Sequence, residues 1–209
     1  MSKTNTQAAS ADVKLQGLRG RDVDLRPFGL DDVTERYRSW LLDEETVKFL
    51  DVGFTDRSLP ALQAWVEGVI ADPRRLFYML APRESGEGVG TISLSIDPIH
   101  RVCHYGYLIG EREWWGTGIA LQAQVALFDF AFDELGMRRV YGGARNDNVM
   151  SQFNFKRLGF VKEGVFRQHV RVAPDSDEYC DEIYYGLLAE EWAARSPKFD
   201  DLRYHPEND

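Results

Sequence analysis

Cysteine is scarce in this 209-residue sequence, which has only Cys103 and Cys180. Two cysteines do not make a disulfide framework; they read as buried small apolar residues in a reducing compartment. Long apolar runs are absent too. With no stretch of about 18 consecutive apolar residues, nothing reads as a membrane-spanning helix. Residues 1–11 are polar and lack the apolar segment of a secretory signal, so a cytoplasmic location is the expectation. Basic charge falls short of acidic charge, with 25 Lys and Arg against 34 Asp and Glu and a net of −9. Neutralising a phosphate backbone needs a basic face, so no nucleic-acid partner is expected. The negative field suits a cationic small substrate instead. Internal repeats and low-complexity segments are also lacking.

What is present is a core-forming chain. Hydrophobic residues make up 44% and aromatics 12%, enough to bury a real interior. At about 150 residues per domain, the length reads as one domain over 17–195, with loose polar tails at 1–16 and 196–209. A strand is expected over 23–28. Val33, Tyr37, Trp40 and Leu41 then recur at helical spacing, a short helical turn follows within 44–50, and Pro60 opens a further helix. Residues 76–81 form a strand. Gly90, Ile92, Leu94 and Ile96 alternate with Thr91, Ser93 and Ser95, the period of a half-buried antiparallel strand, and 102–109 completes a hairpin with it. The 119–135 segment is apolar around most of a helix and is therefore buried on more than one side. Strand 139–144, helix 149–158 and a hairpin of 160–172 with 179–187 finish a mixed α/β domain. It has about seven strands, with helices on both faces.

Between the strand ending at Ile109 and the buried helix lies Glu111-Arg112-Glu113-Trp114-Trp115-Gly116-Thr117-Gly118-Ile119-Ala120. Two glycines two residues apart open a helix just after a strand. Such a turn lets backbone N–H groups approach a pyrophosphate, and the helix N-terminus favours anions. The segment is neither a Walker loop nor a dinucleotide fingerprint, and by itself it reads equally as a glycine-rich helix start with no ligand.

Trp115-Gly116-Thr117-Gly118-Ile119-Ala120 resembles the acetyl-CoA signature of the GNAT N-acetyltransferase superfamily. Asn148-x-x-Ser151, Leu158-Gly159-Phe160, Glu163-Gly164 and Asp181 before Tyr184-Tyr185-Gly186-Leu187-Leu188 resemble the later blocks of one branch, that of the ribosomal-protein N-terminal acetyltransferases with their amino-sugar and polyamine relatives. The matches run in family order from about Val23 to Trp192. The resemblance implies the GNAT fold, a mixed, mostly antiparallel, splayed sheet with acetyl-CoA as acetyl donor in the gap between strands 102–109 and 139–144. The backbone from Trp115 and Gly116 through Thr117, Gly118 and Ile119 to Ala120 would hold pyrophosphate, the edge at Leu108 and Ile109 would pair with pantetheine, and Asn148 and Ser151 would help fix the cofactor.

The implied reaction is direct attack of a primary amine on the thioester. An alkyl amine of pKa about 10.4 is roughly one part in a thousand neutral at pH 7, and an α-amine near 7.8 about a tenth, so a base matters more for the former. His104 is the first candidate base, mid-strand beside the cofactor edge and of suitable ordinary pKa. Asp181 is the second, as base or substrate anchor. Each reads equally as a structural hydrogen-bonding residue. Many members of the superfamily place a Tyr acid five residues before the Phe of the Leu-Gly-Phe block. Phe155 stands there instead, which leaves water or Ser151 for that role. Trp40, Thr91, Ser93 and Tyr105 are candidate substrate contacts: Trp40 as part of a helical roof or simply of the core, Thr91 and Ser93 as a polyol-binding floor or plain solvent-facing polarity. Glu111 and Glu113 could bind an amine or simply be solvated.

The 109–116 linker and the 40–47 stretch look most like those of enzymes acetylating amino groups on nucleotide-linked sugars, so the expected partner is a small-molecule amine, an amino sugar first. A protein N-terminus, polyamine, aminoglycoside or amino acid stands as the alternative, and a non-catalytic acetyl-CoA sensor as the alternative of another class. The apolar strands near the C-terminus are compatible with a homodimer, as in many relatives.

Overall fold

The computed structural model describes residues 15–206. Along the chain, β1 (Leu18–Arg19) and β2 (Val23–Pro27) are followed by α1 (Glu35–Leu42), α2 (Glu44–Val47) and α3 (Leu59–Ala71). The Thr34 hydroxyl accepts the Tyr37 N–H at the head of α1, and the Ser58 hydroxyl accepts the Ala61 N–H at the head of α3. These side chains supply acceptors to N–H groups that no helical carbonyl reaches. Next come β3 (Arg75–Pro82), β4 (Gly90–Asp97) and β5 (Val102–Ile109), then α4 (Ile119–Asp129), β6 (Arg139–Arg145) and α5 (Val149–Leu158). β7 (Val161–Arg171), β8 (Tyr179–Leu188) and α6 (Ala189–Arg195) close the fold.

Among the described residues the strands form one eight-stranded sheet in the order β1-β2-β3-β4-β5-β6-β8-β7. Every pairing is antiparallel except that of β5 with β6. Strand alternation sorts the side chains between two cores. Tyr78, Ile92, Leu94, Cys103, Tyr105, Val140 and Tyr185 pack with α4, α5 and α6 on one face. Phe77, Met79 and Leu108 pack with Tyr37 and Trp40 of α1 and Val66 of α3 on the other.

Three expectations change. The sheet gains a strand, because Leu18 and Arg19 pair with Leu25 and Asp24 and Leu18 is buried. The helix expected to 135 widens after Asp129 into a π-type turn over Phe130–Glu134. The tail expected from residue 196 belongs to the domain through 206. Phe199 is buried against Trp192 at 5.8 Å, and the Arg203 guanidinium donates to the Asp129 carboxylate at 2.8 and 3.1 Å. Its high polar content concealed one apolar anchor and one bidentate pair. At the other end Leu15 packs against the first core; residues 1–14 and 207–209 lie outside the described residues. No described helix is long and apolar enough to cross a membrane.

Candidate functional site

β5 and β6 share only three register pairs, Val102 with Arg139, Cys103 with Val140 and His104 with Tyr141. Beyond that point β5 keeps β4 as its neighbour and β6 keeps β8, and the two inner edges part. The gap holds a cavity of about 220 Å³ whose lining includes His104, Tyr107, Asn148, Ser151, Asp51 and Glu182. His104 therefore stands at the apex of the split.

Alternation decides which side chains meet there. His104, Tyr141, Glu182 and Tyr184 lie on the face opposite α4 and α5. The His104 ring meets the Tyr141 ring edge-on at 5.2 Å. It opens to the cleft, yet the protein around it desolvates the ring and lowers its pKa below the ordinary 6.5. It is thus a neutral imidazole at pH 7. The Glu182 carboxylate folds over Gly143, where a Cβ would come within 2.5 Å of Oε1. Burial raises the Glu182 pKa, opposed by the nearby His169 and by a hydrogen bond with Tyr184. His169 Nε2 lies 3.6 Å from Glu182 Oε2. Asp51 reaches the cavity from the turn after α2. That turn is tied down by the buried Arg145 guanidinium, which pairs with Asp147 at 2.7 Å and donates to the carbonyls of Lys48 and Val172 at 3.2 and 2.8 Å.

The α5 side of the gap is different. Tyr107 is hydrogen-bonded through its side chain to Ser151 and Asn154; burial raises its pKa and those two bonds oppose the rise. Asn148 caps α5 by accepting the Ser151 N–H at 3.0 Å. Phe155 is buried and stacked on Tyr185 at 4.5 Å. Burial pushes the Cys103 thiol up to about 12 and raises that of Cys180. Neither is a thiolate at neutral pH, so neither is an activated nucleophile.

The glycine loop is held from outside the cavity. The Trp115 indole N–H donates to the Ile109 carbonyl at 2.9 Å, and the Thr117 hydroxyl to the Trp114 carbonyl at 2.9 Å. Gly116 and Gly118 have φ of +74° and +90°, and a Cβ on either would meet nothing within 4 Å. The glycines thus serve backbone conformation and leave open space before the head of α4, whose first N–H groups have no intrahelical acceptor. That space and those donors fit a pyrophosphate. At the start of the loop the Glu111 carboxylate accepts from Arg36 at 2.7 Å and from the Trp40 indole at 3.0 Å. Arg112 grips Asp43 at 2.8 and 2.5 Å, which holds the Asp43 carboxyl down at about 2. A Cβ on Gly110 would run into the Trp40 ring. Gly110→Ala is therefore expected to cost about 1–3 kcal/mol of stability through overpacking, read from the urea midpoint at unchanged slope; an unshifted midpoint would show that Trp40 can yield.

Of the residues singled out in the sequence, His104, Tyr105, Asn148 and Ser151 border the cavity. Leu108 and Ile109 continue the parted strand, and Trp115 to Ala120 form the loop at the head of α4. Tyr105 directs its ring into the first core, against Phe128 and Phe155. Trp40 and Thr91 are buried away from the cavity lining, and the Ser93 hydroxyl donates to the Gly106 carbonyl at 3.5 Å. None of the three is part of the cavity lining: Trp40 and Thr91 are buried, while Ser93 is half-buried on the same sheet face as His104. Asp181 does not line it either; its carboxylate accepts the Gln168 N–H at 2.9 Å. The residues missed are Asp51, Tyr107, His169 and Glu182. Only Glu182 left a trace, as the second of two adjacent acids, after Asp181, ahead of the apolar end of a strand.

The family model described as an acetyltransferase (GNAT) domain matches residues 22–161. The chain is 36% identical over 132 residues, 60% of its length and 70% of the other's, to YdaF of Bacillus subtilis, provisionally named a ribosomal N-acetyltransferase. It superimposes on a GCN5-related N-acetyltransferase from Brucella melitensis with a TM-score of 0.76 at 24% identity, covering 94% of this chain and 89% of that one. It also superimposes on RimL, a ribosomal L7/L12 α-N-protein acetyltransferase solved with coenzyme A, with a TM-score of 0.70 at 22% identity, covering 80% and 94%. These two structural likenesses concern the fold alone.

Proposed function

The chain belongs to the GNAT acetyltransferase family, and from that premise we propose that its acceptor is the α-amine of a peptide or protein N-terminus. The enzyme is an acetyl-CoA-dependent N-acetyltransferase; the bound donor supplies a thioester carbonyl to an attacking amine. The observation that carries the acceptor reading is the weakness of the bases facing the gap. His104 is held below its ordinary pKa and the other candidate, Glu182, is a carboxylate. Such bases serve an amine of pKa about 7.8, already partly neutral at pH 7, far better than an alkyl amine near 10.4. YdaF, by its name, points the same way.

The amino-sugar expectation rested on segments 40–47 and 109–116. Trp40 is a core residue, and Glu111 and Arg112 are bound to Arg36 and Asp43. Those segments speak for helix packing and do not support an acceptor.

In this reading Glu182 and Asp51 hold the incoming ammonium, and the aromatic rings of Phe49 and Phe54 line the cavity with them. His104 accepts a proton from the attacking nitrogen. To the hydrogen-bonded Tyr107 and Ser151 hydroxyls, which line the same cavity, we assign protonation of the departing sulfur, the role left without a tyrosine at Phe155. The Gly116–Ala120 backbone and Asn148 hold the donor.

The test is free-thiol release from acetyl-CoA with N-terminal peptides, polyamines, nucleotide-linked amino sugars and amino acids in parallel. Saturable turnover confined to peptides is expected. Turnover confined to sugars or polyamines would replace the acceptor class. Acetyl-CoA binding without turnover of any amine would favour a sensor.

A further inference from the structure

β7 and β8 fall out of step where they border the cleft. Phe166 pairs with Glu182 and Val170 with Cys180, so β7 spends four residues where β8 spends two. The extra chain forms a bulge in which Gln168 adopts φ +50°, a conformation unfavourable for a residue with a side chain. The Asp181 carboxylate holds it there by accepting the Gln168 N–H. The bulge re-aims the next residue, His169, so that its Nε2 faces the Glu182 carboxylate. The His169 ring also packs edge-on against Phe166 at 5.1 Å, which limits its orientation. The Glu182 side chain is 18% exposed and the His169 side chain 50%. One partner therefore lines the cleft, and the other, beside it, is open to solvent.

We propose that Glu182 and His169 form a carboxylate–imidazole relay that carries the acceptor ammonium's first proton out of the cleft, with Asp181 as the positioning residue that builds it. This rests on the amine-acceptor reading above. An ammonium that enters as R–NH₃⁺ must lose two protons to become an amide N–H. The first passes to a Glu182 oxygen, from there to His169 Nε2, and from the exposed ring to water. The neutral amine then forms the C–N bond, the C–S bond breaks, and the second proton passes from nitrogen, by way of His104, to end on the departing sulfur. Charge and atoms balance with one proton released to solvent. Other groups facing Glu182 are Asp51 from the turn after α2 and the Tyr184 hydroxyl of its own strand, with Tyr141 of β6 beside Tyr184. None of these combines an imidazole's two ring nitrogens, one able to take up a proton and the other to pass one on, with an outlet to water, as the half-exposed His169 does. The separation of 3.6 Å exceeds a hydrogen bond, as apo contacts of this kind commonly do before the complex tightens them.

The experiment uses the full chain and whichever amine the wild type turns over. His169→Ala should lower kcat about tenfold with the KM for acetyl-CoA unchanged, and added imidazole should restore much of the loss, which a packing defect would not allow. Asp181→Ala, which removes the acceptor for the Gln168 N–H, should lower kcat without such rescue. Glu182→Gln should shift the His169 ring-nitrogen resonances and leave those of His100 and His205 in place. Full activity in His169→Ala, a loss that imidazole does not restore, or unmoved His169 resonances would each overturn the relay while the acceptor reading stands. A wild type that turns over no amine would overturn the acceptor reading and the relay with it.

Discussion

His104→Ala is expected to lower kcat a hundredfold to a thousandfold, within the range of a positioned general base. The imidazole sits at the last register pair before β5 and β6 part, so it lies nearest the point where a thioester threaded through the gap would meet an amine from the other face. Burial disfavours the imidazolium and lowers the pKa. The neutral form is the active one. As pH falls through the lowered pKa the ring protonates and kcat declines, and above it kcat is level. Measured at saturating amine, the wild-type acid limb should therefore lie below pH 6.5, and the alanine variant should lose that limb along with its rate. A variant with lower kcat but the same limb would show that another group titrates and that His104 only packs. The KM for acetyl-CoA should stay near its wild-type value, since His104 faces the acceptor side.

The second large effect concerns donor binding. Gly118 has φ +90° immediately before α4. A β-branched side chain is a true outlier in that conformation, and holding one there costs about 1–3 kcal/mol. Gly118→Val should escape the strain by rotating the peptide, which turns the N–H groups at the head of α4 away from the loop. The KM for acetyl-CoA is then expected to rise roughly 5- to 150-fold, the same 1–3 kcal/mol expressed as a ratio, while kcat at saturating donor changes little. Calorimetric titration of the variant with acetyl-CoA separates binding from rate. Undiminished affinity would mean that the pyrophosphate is held elsewhere. No added Cβ clashes at this position, so a loss would come from backbone conformation and not from a filled space.

Short-range patterns were legible where one covalent neighbourhood sets the outcome. The alternation of Ile92, Leu94 and Ile96 with Thr91, Ser93 and Ser95 yields β4 because successive side chains of a strand must take opposite faces. The Gly116-Thr117-Gly118 turn and the all-round apolar α4 were visible for the same reason: left-handed φ and burial on several sides are demands met by residue type alone. The split at His104 was only implied by family resemblance, since no local pattern announces where two parallel strands stop pairing.

What tertiary structure decided is the company each side chain keeps. Asp181 and Glu182 are adjacent acids, and nothing in their order says which one enters the cleft. Strand parity puts Glu182 over Gly143, and a bulge in a different strand turns Asp181 to the Gln168 N–H. Asp51 and His169 carry no motif; a clasp at Arg145 and a misregister in β7 bring them within reach. Trp40 looked equally suited to roof or core, and a glycine 70 residues later, Gly110, makes it core by leaving room for its ring. Phe199 and Arg203 likewise join the domain through Trp192 and Asp129, partners that no reading of the polar C-terminal residues alone would supply. The sequence by itself determined the strand and helix periods and the glycine turn at the head of α4, because these follow from dihedral preference and spacing along one segment. The acceptor side was left to the fold, because it depends on side-chain direction summed across five elements that are distant in the chain.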